Sequence, residues 1–302
     1  MKGIIVVNAY AQTKSELNQA IRLQEEFKNL QVQIEIFPTD KIAVIVNNGN
    51  LINRLDKIDF CVYLDKDKHI LQALNKLNIK IFNNASGIEI CDDKLLTHLC
   101  LANNGIPMPK TIGGVLCYYP HVKYKQSILD SVETQLEYPI IVKECYGSCG
   151  KGVYLANSRE ELEKIAENVK LKPHLFQQFI KESQGTDIRV ILVGKKCVGT
   201  MCRQNAKDFR SNIEIGGIGK KVELKQSYIE ICEKVAQILN LDYCGIDLLI
   251  DNKNTPLVCE VNSNAFFGMF EQITGINVAK IYAQYIFESV KKIVKKGENN
   301  EF

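Results

Sequence analysis

Tyr243-Cys-Gly-Ile-Asp-Leu-Leu-Ile250 reads as a buried strand, Asp251-Asn-Lys-Asn-Thr-Pro256 as a turn, and Leu257-Val-Cys-Glu-Val-Asn262 as the returning strand. Side chains alternate along a strand, so Glu260 and Asn262 share a face. A hairpin brings Asp247 alongside them. Two carboxylates and an amide oxygen on one face make a hard-oxygen site. Such a site suits Mg²⁺ or Mn²⁺, with phosphate oxygens and water completing the shell. A hairpin also commonly carries Asp and Asn near its turn with no such role. Here Asp247 sits inside an apolar run and Glu260 between Cys259 and Val261. An unpaired carboxylate is costly there, and a cation removes the cost.

Outward from the hairpin, residues 187–193 and 196–203 read as strands. Asp187 and Arg189 stand two apart, on one strand face. Arg203 ends the next strand, and Phe209-Arg-Ser-Asn212 follows before Gly216-Gly217. Each arginine alone reads as a solvated charge. Together, Arg189, Arg203 and Arg210 could stabilise charge growing on a phosphoryl group or a tetrahedral centre. Further upstream, Lys143 ends the apolar run Glu137-Tyr-Pro-Ile-Ile-Val-Lys143. Gly147, Gly150 and Gly152 follow, and their amides could face a polyphosphate unobstructed. An ordinary Gly-rich hairpin fits the same residues, and no Walker A motif is present. Leu175-Phe-Gln-Gln-Phe-Ile180 is an apolar strand whose backbone could read an adenine edge, or a plain edge strand.

The first ninety residues alternate strand and helix: strands at 2–8, 32–37, 60–64 and 79–82, helices at 15–27 and 69–77. That pattern predicts a small open α/β unit, without the Gly-x-Gly-x-x-Gly dinucleotide fingerprint. A helix is expected over 85–104, ended by Gly105 with Pro107 and Pro109 behind it. Lys94 within it reads alone as a solvated helix lysine. Helices are also expected at 158–169, 228–239 and 278–294, and Phe266 and Phe267 read as core.

The chain has 302 residues, 38 Lys+Arg against 35 Asp+Glu, and a net charge of +3. Nothing there calls for nucleic acid or an anionic membrane. Eleven scattered cysteines, with no Cys-x-x-Cys and no leader, predict reduced thiols in the cytoplasm.

From about Asn83 to Ile286 the chain resembles the ATP-grasp carboxylate–amine ligases, in their RimK-like, α-L-glutamate ligase branch. The resemblance rests on Asp93-Lys94, Gly105-Ile-Pro-Met-Pro-Lys-Thr111, Ile140-Ile-Val-Lys143 and Gly147-Ser-Cys-Gly-Lys-Gly-Val153. It continues through Gln178-Phe-Ile180, Gly185-Thr-Asp-Ile-Arg189, Phe209-Arg-Ser-Asn212, Gly245-Ile-Asp247, Glu260-Val-Asn-Ser-Asn264 and Thr274-Gly-Ile-Asn277. No piece is decisive alone, but their order and spacing are specific. Relatives often carry an acid where Gln177-Gln178 stands, and an acid or small residue at Tyr146.

The resemblance implies an α/β (α+β) ATP-grasp fold, with a nucleotide held between two α+β subdomains. The expected divisions are an N-terminal open α/β domain over 1–92, a central subdomain over 93–176, a metal-bearing subdomain over 177–296 and a polar tail over 297–302. Lys94 and Lys143 would contact ATP phosphates, and Gly147, Ser148, Gly150 and Gly152 would form a mobile loop over them. Gln178 and Phe179 would line the adenine pocket, and Asp187 would meet the ribose. Arg189 and Arg203 would hold an acyl phosphate. Arg210, Ser211 and Asn212 would surround the phosphates and the acceptor. Asp247, Glu260 and Asn262 would hold two Mg²⁺ ions.

The implied reaction joins a carboxylate to an amine through an acyl phosphate, releasing ADP and phosphate. The amine would be glutamate or another amino acid, the acceptor a protein, peptide or metabolite, and the enzyme a homodimer or homotetramer. A small-molecule kinase and a non-catalytic ATP-binding module are the alternatives.

Overall fold

Three sheets follow one another along the chain, beside a short hairpin of Ile45–Asn47 with Asn50–Ile52. The computed structural model describes residues 1–148, 150–213 and 216–298.

The first sheet is parallel, in the order Gln33–Pro38, Lys2–Val7, Phe60–Tyr63, Ile81–Phe82. Parallel neighbours need crossovers, and helices Lys14–Asn29 and Lys68–Lys76 provide two of them. Thr13 and Glu16 start the first helix with a capping box. Side chains of the central strand alternate. Ile4 and Val6 join Cys61, Leu71 and Leu74, while Ile5 and Val7 join Ala20, Leu23 and Phe27. The second cluster continues through Tyr243, Phe267, Phe270 and Tyr282, so the first and last parts of the chain share a core.

Asn83 reinforces that junction. Its Nδ2 donates to the Tyr243 and Ser263 carbonyls at 2.7 and 2.8 Å, and its Oδ1 accepts from the Asp242 and Tyr243 amides at 2.6 and 2.8 Å. The neighbouring Asn84 caps the next helix, accepting from the Gly87 amide.

The single helix expected over 85–104 is two helices, Ala85–Asp92 and Lys94–Leu101. Asp93 is extended between them, and its carboxylate caps the second by accepting from the Leu96 amide at 3.0 Å. The break frees the Lys94 amide to donate to the Cys145 carbonyl at 3.0 Å, which fixes Lys94 beside the glycine loop.

The second sheet is antiparallel, in the order Thr111–Gly113, His174–Gln178, Ile140–Glu144, Val153–Ala156. Ile140, Val142 and Phe176 pack on Leu129 and Val132 of helix Gln126–Glu133 and on Leu162 and Ala166 of helix Arg159–Val169. Ile141, Lys143 and Gln177 therefore take the opposite face. Strand Thr111–Gly113 and helix Gln126–Glu133 have weak patterns that the sequence does not reveal, whereas Val153–Ala156 lies where a strand over 152–155 is expected.

The third sheet is antiparallel, in the order Ile218–Lys221, Lys196–Gln204, Thr186–Val193, Tyr243–Ile250, Pro256–Asn262. Helix Gln226–Ile238 covers the face bearing Val190, Leu192, Ile246 and Leu248. The last helix spans Val278–Glu298, beyond the expected end at 294 and into the region read as tail. Residues 299–302 of that tail lie outside the described residues.

Candidate active site

Asp247 pairs directly with Glu260 across the hairpin, while its neighbour Leu248 pairs with Val258. One extra residue thus sits on the returning strand, a β-bulge at Cys259. Without it, Val258, Glu260 and Asn262 would share one face. With it, Val258 packs in the apolar core beside Leu248, and Glu260 and Asn262 face the side of Asp247. Gly245 keeps this face clear, since a Cβ there would meet the Ala265 Cβ at 2.5 Å.

Three buried charges, Asp187, Arg203 and Asp247, interlock on this face with the half-buried Arg189. Arg189 donates from Nε and Nη2 to the two oxygens of Asp247, each at 2.7 Å. Arg203 donates from Nε to Asp187 Oδ1 at 2.8 Å, and its Nη2 lies 2.8 Å from Asp247 Oδ2 as well as against Asp187 Oδ2. Burial acts to raise the Asp247 pKa, but the two guanidiniums outweigh it and hold the carboxyl well below the usual range. Oδ2 of Asp247 accepts two hydrogen bonds and Oδ1 one, which leaves a lone pair on Oδ1.

That lone pair, the Glu260 carboxylate and the Asn262 amide oxygen make an all-oxygen donor set. Among the described residues, the ion pair of Glu260 is with Lys94, at 3.8 Å. These donors would fit a hard cation such as Mg²⁺. Among the described residues no cluster of three His, Cys, Asp or Glu forms a metal site, so the set depends on Asn262.

Between the second and third sheets lies a cleft of about 800 Å³. It gathers most of the residues anticipated from the sequence. Lys94, Lys143, Gly147, Ser148 and Gly150 line it from one side. Gln178 and Phe179 line the crossing between the sheets. Asp187, Arg203, Arg210, Ser211, Asn212, Asp247 and Glu260 line it from the other side. Arg189 and Asn262 instead line an adjoining cavity, which shares Ser148, Arg203, Asn212 and Glu260 with the cleft. Gly152 lines neither cavity. It is a left-handed residue, φ 69°, whose Cβ would press on Glu144 at 3.1 Å.

The glycine loop is tethered from both sides. Lys94 Nζ donates to the Gly147 carbonyl at 2.8 Å, and Arg210 Nη1 to the Gly150 carbonyl at 2.7 Å. Cys149 in this loop, and Glu214 and Ile215 in the stretch after Asn212, lie outside the described residues.

Sequence reading missed several participants. Ile141 and Leu249 give the cleft apolar walls, which the alternation of their strands could have indicated. The bulged Cys259 lies with its Sγ 3.3 Å from Lys143 Nζ. His98 is buried behind it, 3.4 Å from the Cys259 carbonyl, and burial and the Lys143 charge push it down to about 4. Lys66, from the first sheet's side, reaches the adjoining cavity and pairs with Asp92 at 3.0 Å. Of the two phenylalanines read as core, Phe267 is fully buried but Phe266 is 56% exposed and lines that cavity.

A cleft between two antiparallel sheets, with lysines and a glycine loop opposite an oxygen donor set, defines a nucleotide-dependent ligase fold of the ATP-grasp type. The family model for the RimK-like ATP-grasp domain matches residues 91–286, and the chain belongs to that family.

Human N-acetylaspartylglutamate synthase A is 34% identical over 279 residues, 87% of this chain and 70% of that protein. Human beta-citrylglutamate synthase B is 36% identical over 262 residues, 82% of this chain and 66% of that protein. A probable alpha-L-glutamate ligase of Maridesulfovibrio salexigens is 33% identical over 234 residues, 76% of this chain and 75% of that protein. The chain thus spans about two thirds of the length of the two human synthases.

Among solved structures, D-alanine–D-alanine ligase of Bacillus anthracis superposes with a TM-score of 0.69 at 19% identity, covering 98% of this chain and 99% of that one. The ATP-grasp ligase PsnB with minimal precursor, Mg and ADP gives 0.68 at 12% identity, covering 95% and 97%. These structures share the ATP-grasp fold, and the family and the relatives' names support ATP-dependent carboxylate–amine ligation. No helix among the described residues is long and apolar enough to cross a membrane.

Proposed function

We propose that this chain joins the amino group of an amino acid, glutamate foremost, to an acidic carboxylate substrate. The observation that carries the reading is the shared wall of the two cavities. Lys94, Lys143, Gly147 and Gly150 stand on the cleft side, Arg189 and Asn262 on the other, and Ser148, Arg203, Asn212 and Glu260 belong to both. A nucleotide's terminal phosphate and a substrate carboxylate can therefore meet at Arg203 and Glu260.

In this scheme a carboxylate oxygen attacks the γ-phosphorus, the bond to the bridging oxygen breaks, and ADP leaves. The amine nitrogen then attacks the acyl carbon. The carbon–oxygen bond to phosphate breaks, and the amine sheds its proton. Lys143 and Lys94 neutralise phosphate oxygens, and Arg189 and Arg203 hold the carboxylate and the charge that grows on it. Mg²⁺ held by Asp247, Glu260 and Asn262 would supply positive charge against the polyphosphate. Glu260, on both walls, could serve two ions. The tethered glycine loop keeps water from the acyl phosphate. Lys66, Arg189 and Arg203 line the adjoining cavity beside Asp92 and Glu260, and the names of the two human relatives suggest that the carboxylate substrate is acidic. The same scheme divides the chain into units at 1–92, 93–176 and 177–296.

The test is ADP release on N-acetyl-L-aspartate or citrate, with L-glutamate or hydroxylamine as the amine. A ligase yields an amide with glutamate and a hydroxamate with hydroxylamine. ADP release without hydroxamate would point to a kinase. No ADP release with any carboxylate would refute the proposal.

A further inference from the structure

Tyr146 follows strand Ile140–Glu144 and immediately precedes Gly147 and Ser148. It lines neither the cleft nor the adjoining cavity, yet it is held from two directions. Lys94 fixes the backbone on both sides of it: the Lys94 amide donates to the Cys145 carbonyl at 3.0 Å, and Nζ to the Gly147 carbonyl at 2.8 Å. Lys68, in the first turn of helix Lys68–Lys76, meets its ring from the parallel sheet's side, with Nζ 4.4 Å from the ring centroid. That distance is within the range of a cation–π contact.

Lys68 is itself held in place. Asp67 caps its helix, accepting from the His69 and Ile70 amides at 2.9 and 3.1 Å. Lys68 Nζ lies 3.5 Å from Asp92 Oδ2, and Lys66 Nζ lies 3.0 Å from Oδ1 of the same carboxylate. The ammonium therefore stands between a carboxylate and the negative face of an aromatic ring. Burial, then the Asp93 carboxylate, push the Tyr146 phenol up, so its hydroxyl stays neutral beside that acid. The tyrosine is 43% exposed, so burial alone gives its ring little reason to take one orientation.

The contact joins two parts of the molecule. Lys68 belongs to the parallel sheet's side and Tyr146 to the antiparallel four-stranded sheet. Two residues beyond the ring, within about 7 Å of extended chain, Ser148 lines the cleft and the two cavities next to it. We infer that Tyr146 is a positioning residue, whose ring, clasped by Lys68, sets the placement of Gly147 and Ser148 where the cavities meet. Nucleotide phosphates are then contacted, and the activated carboxylate is kept from water, while the clasp is made. The effect on ATP rests on the nucleotide cleft, and the effect on the activated carboxylate rests on the ligase reading.

The experiment separates these two. Calorimetry measures ATP affinity with Mg²⁺, and assays with hydroxylamine on N-acetyl-L-aspartate or citrate measure ADP against hydroxamate. The proteins are wild type, Tyr146→Leu, Tyr146→Phe, Lys68→Met and the double variant Tyr146→Leu with Lys68→Met. Tyr146→Leu and Lys68→Met should each weaken ATP binding about two- to fivefold, the size of one exposed cation–π contact. Both should raise the ratio of ADP released to hydroxamate formed. The double variant should bind ATP no more weakly than the weaker single variant, because both changes delete the same contact. Tyr146→Phe keeps the ring and should recover most of the affinity that Tyr146→Leu loses, which a general loss of structure would not produce. Unchanged affinity in both single variants, additive losses in the double variant, or a Tyr146→Phe as weak as Tyr146→Leu would each overturn the clasp. Wild type producing no hydroxamate would overturn the effect on the activated carboxylate together with the ligase reading, and the ATP series would still decide the clasp.

Discussion

Arg189 grips Asp247 with paired hydrogen bonds, Nε to Oδ1 and Nη2 to Oδ2, both 2.7 Å long. Asp247 is thus structural as well as a candidate ligand, and its loss would leave Arg189 and Arg203 short of a buried counter-charge. Breaking a buried pair costs about 3–5 kcal/mol. Asp247→Asn should therefore lower the Tm by at least about 5 °C, taking about 2 °C per kcal/mol for a chain of this size. A Tm within 1 °C of wild type, about a fifth of that shift, would sink the structural role.

Glu260 separates ligation from stability. Its carboxylate is partly exposed and pairs, among the described residues, with Lys94 at 3.8 Å. Glu260→Gln should leave the Tm almost unchanged and reduce Mg²⁺-dependent ADP release by about two orders of magnitude or more, the loss expected for a metal-site residue. Full turnover in that variant would remove Glu260 from the metal set.

Lys143 stands near the end of a strand whose neighbours are core, and its Nζ donates to the Cys259 sulfur at 3.3 Å. Lys143→Met preserves the apolar stem and deletes the charge. A charged hydrogen bond is worth about 1.5–3 kcal/mol, so the apparent affinity for ATP should fall by about 10- to 100-fold. Equal ATP binding in calorimetry would exclude a phosphate contact.

Arg210 ties the third sheet to the glycine loop through the Gly150 carbonyl. With Arg210→Gln the loop loses that tether, and water gains access to the activated carboxylate. The ratio of ADP released to amide formed should rise above its wild-type value, while hydroxylamine recovers part of the lost product. An unchanged ratio would show that the tether does not guard the intermediate.

His98 gives a pH signature. Burial, then the Lys143 charge, lower its pKa from 6.5 to about 4. The unfolded chain therefore binds the extra proton first as pH falls. The folded state loses stability from about pH 6.5 downward, and the loss is complete near pH 4, reaching about 3 kcal/mol at most. In His98→Gln the fall in Tm over this window should be shallower than in wild type. Parallel Tm curves would contradict it.

The pairing of Asp247 with Glu260 was legible because two apolar runs flank one turn, and the alternation of each run places its charges. The bulge at Cys259 was not, because it depends on which neighbour Val258 meets across the sheet. For the same reason the sequence gives no sign that Asp187, Arg189, Arg203 and Asp247 interlock, since their contacts span up to 58 residues. The break at Asp93 could have been suspected from its capping chemistry, but Leu95 to Leu101 continue the helical pattern and hide it.

Asn83 has a mechanical consequence. With all four of its hydrogen bonds made to the start of the strand bearing Asp247 and to Ser263, the parallel sheet and the metal-side sheet are riveted into one anvil. The antiparallel four-stranded sheet joins that body through the crossings near Ala102–Lys110 and Gln178–Ser183 and through the polar contacts of Lys94, Lys143 and Arg210. A stroke made by this one jaw would carry Lys143 and the glycine loop and, because Ser148 of that loop lines the adjoining cavity as well as the cleft, would reshape both at once.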